Sequence, residues 1–216
     1  LIFDGSDVGL GAFAIDGMEK LTDGRILLSF TAAGTVGGIA MDDSDIMQFT
    51  PTTLGSVTAG TWLMFFDGSD VGLTTNDEDV DAIGVSNDGR LLISTLGPFT
   101  VTVSGQDEDI LIFNATTFGS TTAGTFAMYF DGSDVGLSTN ASEDVDAGDM
   151  TASGSLLLST VGSFSVTGAA GTSQDIFEFV PTALGDVTSG TYTLYLDLST
   201  VGIDPTENVV AVQLIE

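Results

Sequence analysis

Aspartate recurs here at a spacing that could do chemistry. The octet FDGSDVGL stands at residues 3–10, 66–73 and 130–137, with two aspartates in each copy. The second and third copies lead into acidic runs, Glu78-Asp79-Val80-Asp81-Ala82 and Glu143-Asp144-Val145-Asp146-Ala147. Carboxylates gathered without bases repel one another unless they are protonated or bridged by cations. A set of several acids and loop carbonyls, all oxygen, suits Ca²⁺, whereas Mg²⁺ demands a stricter octahedron. The candidate metal ligands are therefore Asp67, Asp70, Glu78, Asp79 and Asp81 in one repeat, and Asp131, Asp134, Glu143, Asp144 and Asp146 in the next. Their spacing is not that of an EF-hand loop, whose acids fall at alternate positions. The competing reading is that these short carboxylates make Asx-turns and cap backbone amides.

The outer copies are incomplete. The first keeps Asp4, Asp7 and Asp16, but Phe13 and Ala14 stand where Glu78 and Asp79 stand in the second. A degenerate fourth copy at 196–203 has Thr200 in place of Asp70, followed by Glu207, Asn208 and Val210 in place of Glu78, Asp79 and Asp81.

The whole chain shares this imbalance, with 31 acids against Lys20, Arg25 and Arg90 and a net charge of −28. That sign makes nucleic acid and anionic membrane surfaces poor partners, and it opposes compaction unless cations screen or bind. A surface adapted to high salt is the alternative cause of the acidity. No histidine or cysteine is present and lysine occurs once, so the usual bases, nucleophiles and Schiff-base groups are missing. Paired carboxylates of the glycosidase kind remain, but acids repeated in every unit favour a scaffold or binding role, and the chain reads as no enzyme. No run of about 18 apolar residues predicts a membrane span. The chain begins without Met, as would follow from removal of a signal or from its being a piece of something longer.

The elements that must position these acids are strands. Between octets runs a constant order: a turn and apolar run (TDGRILLSF, NDGRLLIST, ASGSLLLST), a Gly-rich stretch, DSDIMQF, DEDILIF or SQDIFEF, a connector such as PTTLGSVTAGT, then WLMFF, FAMYF or YTLYL. These short runs between turn signals predict four antiparallel strands per unit of about 64 residues, with no helical period. For the central unit, strand a is expected near 79–86, b at 90–95, c at 109–114 and d at 125–130. Trp62, Met64 and Phe66 share one face, as do Phe126, Met128 and Phe130, which fits packing between sheets. The fold class is thus all-β, tandem four-stranded repeats resembling β-propeller blades. The organisation is a d-type strand and acidic loop at 1–12, repeats at 13–73, 74–137 and 138–203, and an a-type strand at 204–216, in one repeat domain. Strand direction places the octets, the EDVDA runs and Asp107-Glu108-Asp109 on one rim, and the DGR turns on the other.

The DG-turn, R/S-L-L-x-S-T strand and DI-x-x-F strand resemble blades of bacterial propellers. FDGSDVGL…EDVDA is similar to tandem repeats of large secreted or cell-surface proteins of environmental bacteria. That resemblance implies an extracellular or surface location. Three blades plus a d and an a strand close no ring, leaving a fragment of a longer array, a ring completed by further copies, or strand exchange in a filament. The expected function is a structural protein, stabilised by Ca²⁺ and self-associating through its edges. A Ca²⁺-dependent binding module for a glycan or a surface protein is the alternative, and a spacer in a larger adhesin the third. Asn114 and Asn140 match the N-glycosylation pattern, which matters only in a glycosylating host.

Overall fold

A computed structural model describes residues 1–204 and 206–214. In chain order the first unit comprises β1 (Ile15–Lys20), β2 (Ile26–Phe30), β3 (Gly34–Val36), β4 (Ile39–Met41), β5 (Ile46–Thr53) and β6 (Ala59–Phe66). The second comprises β7 (Val80–Val85), β8 (Leu91–Thr95), β9 (Phe99–Thr100), β10 (Ser104–Gly105), β11 (Ile110–Thr117) and β12 (Ala123–Phe130). The third comprises β13 (Ala147–Met150), β14 (Leu156–Ser159), β15 (Phe164–Val166), β16 (Ala169–Gly171), β17 (Ile176–Ala183) and β18 (Ser189–Leu196). These form three four-stranded antiparallel sheets, β1-β2-β5-β6, β7-β8-β11-β12 and β13-β14-β17-β18. The order a-b-c-d within each unit agrees with the sequence reading.

Between the second and third strand of each sheet the Gly-rich stretch folds back as a small hairpin, β3-β4, β9-β10 or β15-β16. These hairpins were not expected, because strands of two or three residues are too short to show alternation. Each covers one end of its sheet with a buried side chain, Val36, Phe99 or Phe164.

The first strands β1, β7 and β13 lie side by side, so the three sheets meet along their inner edges. The core fills the spaces between sheets: Leu27, Phe66, Ile83, Phe113 and Phe126 form one cluster, and Ile112, Phe130, Leu158, Phe177 and Phe179 another. Burying each such side chain stabilises the fold by about 1.5–3 kcal/mol. The register shifts in the c–d pairing of every unit, at Ile46/Met47, Ile110/Leu111 and Ile176/Phe177, so the bulge is a feature of the repeat.

The two ends depart from expectation. Residues 1–4 form no ladder strand and lead into a 3₁₀ turn at Gly5–Val8. The strand expected over 204–216 is not formed within 206–214, while positions 205, 215 and 216 lie outside the described residues. This segment pairs with no strand because its amides go elsewhere, Val209 to the Ser173 carbonyl (3.0 Å) and Leu214 to Asp149 Oδ2 (2.6 Å). Its side chains are seated nonetheless. Val209, Val212 and Leu214 pack against Ala147, Leu157 and Ile176, and the Gln213 side chain reaches β1, accepting from the Lys20 amide and donating to Glu19.

Candidate functional site

The octet forms the same tight turn each time. Ser69–Val71 and Ser133–Val135 are 3₁₀ turns closed by Gly72 and Gly136 at φ of 100° and 95°, a left-handed conformation that favours glycine. Each turn docks on the c–d connector of the following unit through a reciprocal clamp. The amide of Asp67 donates to Thr122 Oγ1 (2.9 Å), and the amide of Thr122 donates to Asp70 Oδ2 (2.9 Å). Asp131, Thr188 and Asp134 repeat the clamp at 2.9 Å in both directions. Asp4, Thr58 and Asp7 make it a third time, also at 2.9 Å. Beside it the amides of Gly55, Gly119 and Gly185 donate to the carbonyls of Ile2, Phe65 and Tyr129. One unit is thus held to the next by the carboxylates of Asp70 and Asp134 and the main-chain amides of Asp67 and Asp131, whose own carboxylates accept from the Ser69 and Ser133 hydroxyls.

Glu78 and Glu143 have a different task. Glu78 accepts from the amides of Thr74 (2.9 Å) and Thr75 (3.1 Å) and from Thr100 of β9 (3.0 Å). Burial works to raise its pKa, but these donors outweigh it and hold the carboxyl below the ordinary value. Glu143 makes the matching bonds to Thr139 (2.7 Å) and to Ser165 of β15 (3.3 Å). Each glutamate therefore caps its own turn and fastens the small hairpin of its unit. In the first unit Phe13 replaces it, stacking edge-on to Phe30 at 5.7 Å and lying under Gly34 of β3.

The remaining four candidates stand apart. Asp79, Asp81, Asp144 and Asp146 are all buried, and each has at least one sealed oxygen without a hydrogen-bond partner; for Asp81 both oxygens are so. Burial raises Asp79 to about 7, helped by the facing Asp43, and raises Asp144 to about 8, helped by Asp107. Asp146 is pushed by burial to about 7, although Asn208 donates to it (2.6 Å). Asp81 is driven well above the carboxylate range by burial and then by Asp144, Asp16 and Asp146.

Asp16, half-buried and raised by that burial to about 6, acts on Asp81 as a further like charge and was not among the ligands expected from sequence. Its alignment with Asp81 and Asp146, each near the start of a first strand, was the signal that could have found it. Asp43 and Asp107 were missed as well. Their carbonyls accept from Val80 and Val145, both at 3.1 Å, which brings the b–c loop of one unit against the first strand of the next. Among the described residues no group of three or more carboxylates is placed to hold a metal ion directly.

At the other end of the first strands lies an open cavity of about 1050 Å³, lined in part by Glu19, Arg25, Gln48, Phe65, Phe118 and Asp149. The rings of Phe65 and Phe118 stack at 4.5 Å with 19° between their planes. Glu19 is raised by burial, and then by Asp149, to about 8. Arg25 and Arg90 sit at this end of the sheets, each paired to the aspartate two residues before it, Asp23 (2.8 Å) and Asp88 (2.7 Å).

Compared with known protein families, with curated proteins and with solved structures, the chain matches none. Among the described residues no helix is long and apolar enough to cross a membrane.

Proposed function

We propose that the chain is a non-enzymatic structural module of an extracellular or cell-surface protein. In this reading it is a propeller-like array of blades, stabilised by divalent cations such as Ca²⁺, that self-associates through the outer face of its last sheet. One relation between units carries the reading. The octet phenylalanine of each unit rests on a phenylalanine of the next: Phe3 on Phe49 at 5.4 Å, Phe66 on Phe113 at 5.2 Å and Phe130 on Phe179 at 5.1 Å. Phe66 and Phe130 are fully buried by it, whereas Leu196, the fourth member of the series, stays 36% exposed beside the exposed Leu194 and Tyr195. A face built to receive a further blade suits a second copy of the chain. The threefold repetition of the clamp aspartates and the lack of His and Cys support a scaffold over a catalyst.

Sedimentation across a concentration series tests this. The native chain is expected to associate, and Leu196→Glu to remain monomeric with an unchanged melting temperature. A native chain that stays monomeric throughout overturns self-association.

The cavity favours a second reading, a binding module. An aromatic pair beside Arg25 and Gln48 is the kind of surface on which a sugar stacks and forms hydrogen bonds. A monomer that binds glycans, and loses them on Phe118→Ala, would favour this reading over the first.

A further inference from the structure

Four buried acids and the half-buried Asp16 have a common location. Asp16, Asp81 and Asp146 occupy equivalent positions near the start of β1, at β7 and just before β13, where the inner edges of the three sheets adjoin. Asp79 and Asp144 stand two residues before Asp81 and Asp146. The charges acting most strongly on Asp81 and Asp144 are all carboxylates. Asp81 is 3% exposed, and neither of its oxygens has a hydrogen-bond partner.

No protonation state of the protein alone satisfies Asp81. Ionised, it is a buried charge among like charges. Protonated, it is a buried O–H donor with no acceptor, which costs nearly as much as any lost hydrogen bond. A cation answers both faults. Because no three carboxylates are placed to touch one ion, the ion must keep part of its water shell, with waters reaching the oxygens that the protein leaves bare. We propose that Asp16, Asp81 and Asp146, supported by Asp79 and Asp144, bind a partly hydrated divalent cation between the inner edges of the three sheets. This places the cation away from the octets, where the carboxylates of Asp70 and Asp134 are taken by the clamp and those of Asp67 and Asp131 accept from the Ser69 and Ser133 hydroxyls. It rests on the reading of the chain as cation-stabilised and is independent of self-association.

The segment 206–214 shows how the site is bounded. At the position of Asp81 it carries Val210, and at that of Asp79 it carries Asn208, which donates to Asp146. The amide thus takes one carboxylate oxygen at the margin of the set and adds no charge to it.

The test uses the full chain at fixed ionic strength. Equilibrium dialysis against Ca²⁺ alone and Mg²⁺ alone measures binding, and melting curves with cation or with chelator measure its effect. The native chain is expected to bind either ion and to melt about 5 °C or more higher at a hundredfold excess over its Kd. Asp81→Asn removes the site and should show no shift with cation. Asp70→Asn, at the clamp, should keep the cation shift. The site is overturned if neither ion is retained in dialysis, if Asp81→Asn keeps the shift, or if Asp70→Asn loses it. Failure of the Leu196→Glu sedimentation test would leave these outcomes untouched.

Discussion

The ring of Phe66 meets the ring of Phe113 edge-on, at 5.2 Å and 84°, across the boundary between the first and second sheets. Both are fully buried, so this contact welds two units and not merely two strands. Phe113→Ala is expected to cost about 3–5 kcal/mol in denaturant unfolding. Phe66→Leu, which copies the residue found at position 196, should lose mainly the aromatic pairing, about 0.5–1.5 kcal/mol. Equal losses from the two would count against the pairing.

The clamp at Thr122 invites a smaller change. Thr122 Oγ1 accepts from the Asp67 amide and donates to the Gly119 carbonyl at 2.8 Å. Thr122→Val keeps the shape and leaves both groups unpaired, at a cost of about 1–3 kcal/mol. Hydrogen exchange at the Asp67 amide should accelerate more than exchange within β11. Uniform acceleration would mean that the clamp is not a separate joint.

Acidity should have an unusual sign. Asp16, Asp79, Asp144 and Asp146 have folded pKa values of about 6, 7, 8 and 7, above an ordinary value near 4. Groups raised on folding hold protons more tightly in the folded chain. Their contribution is complete below about pH 4 and is lost as pH rises through about 6 to 8. In metal-free buffer the melting temperature should therefore fall across that window, the reverse of the common pattern. Asp23 and Asp88, held low by Arg25 and Arg90, lose their contribution only on the acid side of their ordinary values. A melting temperature that rises from pH 5 to 8 in chelator (a window of about 3 units) would contradict this.

Two glycines should respond oppositely to alanine. A Cβ at Gly124 would lie 2.5 Å from the Asn114 carbonyl oxygen and 2.5 Å from the Phe113 ring, whereas at Gly11 the nearest atom is 4.0 Å away. Gly124→Ala is expected to destabilise by about 1–3 kcal/mol, and Gly11→Ala to be neutral or slightly stabilising. Chemical denaturation of the pair checks both.

The alternation of Phe126, Met128 and Phe130 was enough to place strands and to assign their inward face, because burial on one side of a sheet writes itself into every second residue. The hairpin β9-β10 was hidden, since its position depends on Glu78, more than twenty residues earlier in sequence, accepting from Thr100. The division among the acids was hidden too. Asp70 and Asp81 are alike in sequence, and only the neighbouring sheet distinguishes them, by offering Thr122 to one and nothing to the other. The segment near Val209 and Val212 reads as a strand from its valines, yet its amides are claimed by Ser173 and Asp149. Sequence pattern reports local burial, whereas joints between units depend on partners some 50–60 residues away, such as Asp67 with Thr122.

The first two joints set carboxylate against carboxylate, Asp43 facing Asp79 and Asp107 facing Asp144. The third sets the Ser173 loop against Asn208, neutral on both sides. With the proposed cation bound, the first two joints would answer to the ions in the surrounding fluid more than the third, where Asn208 engages one oxygen of Asp146. Drained of cations, such a chain would loosen at two knuckles and hold at the last, so its stiffness along the array would be set by the medium and graded from one end to the other.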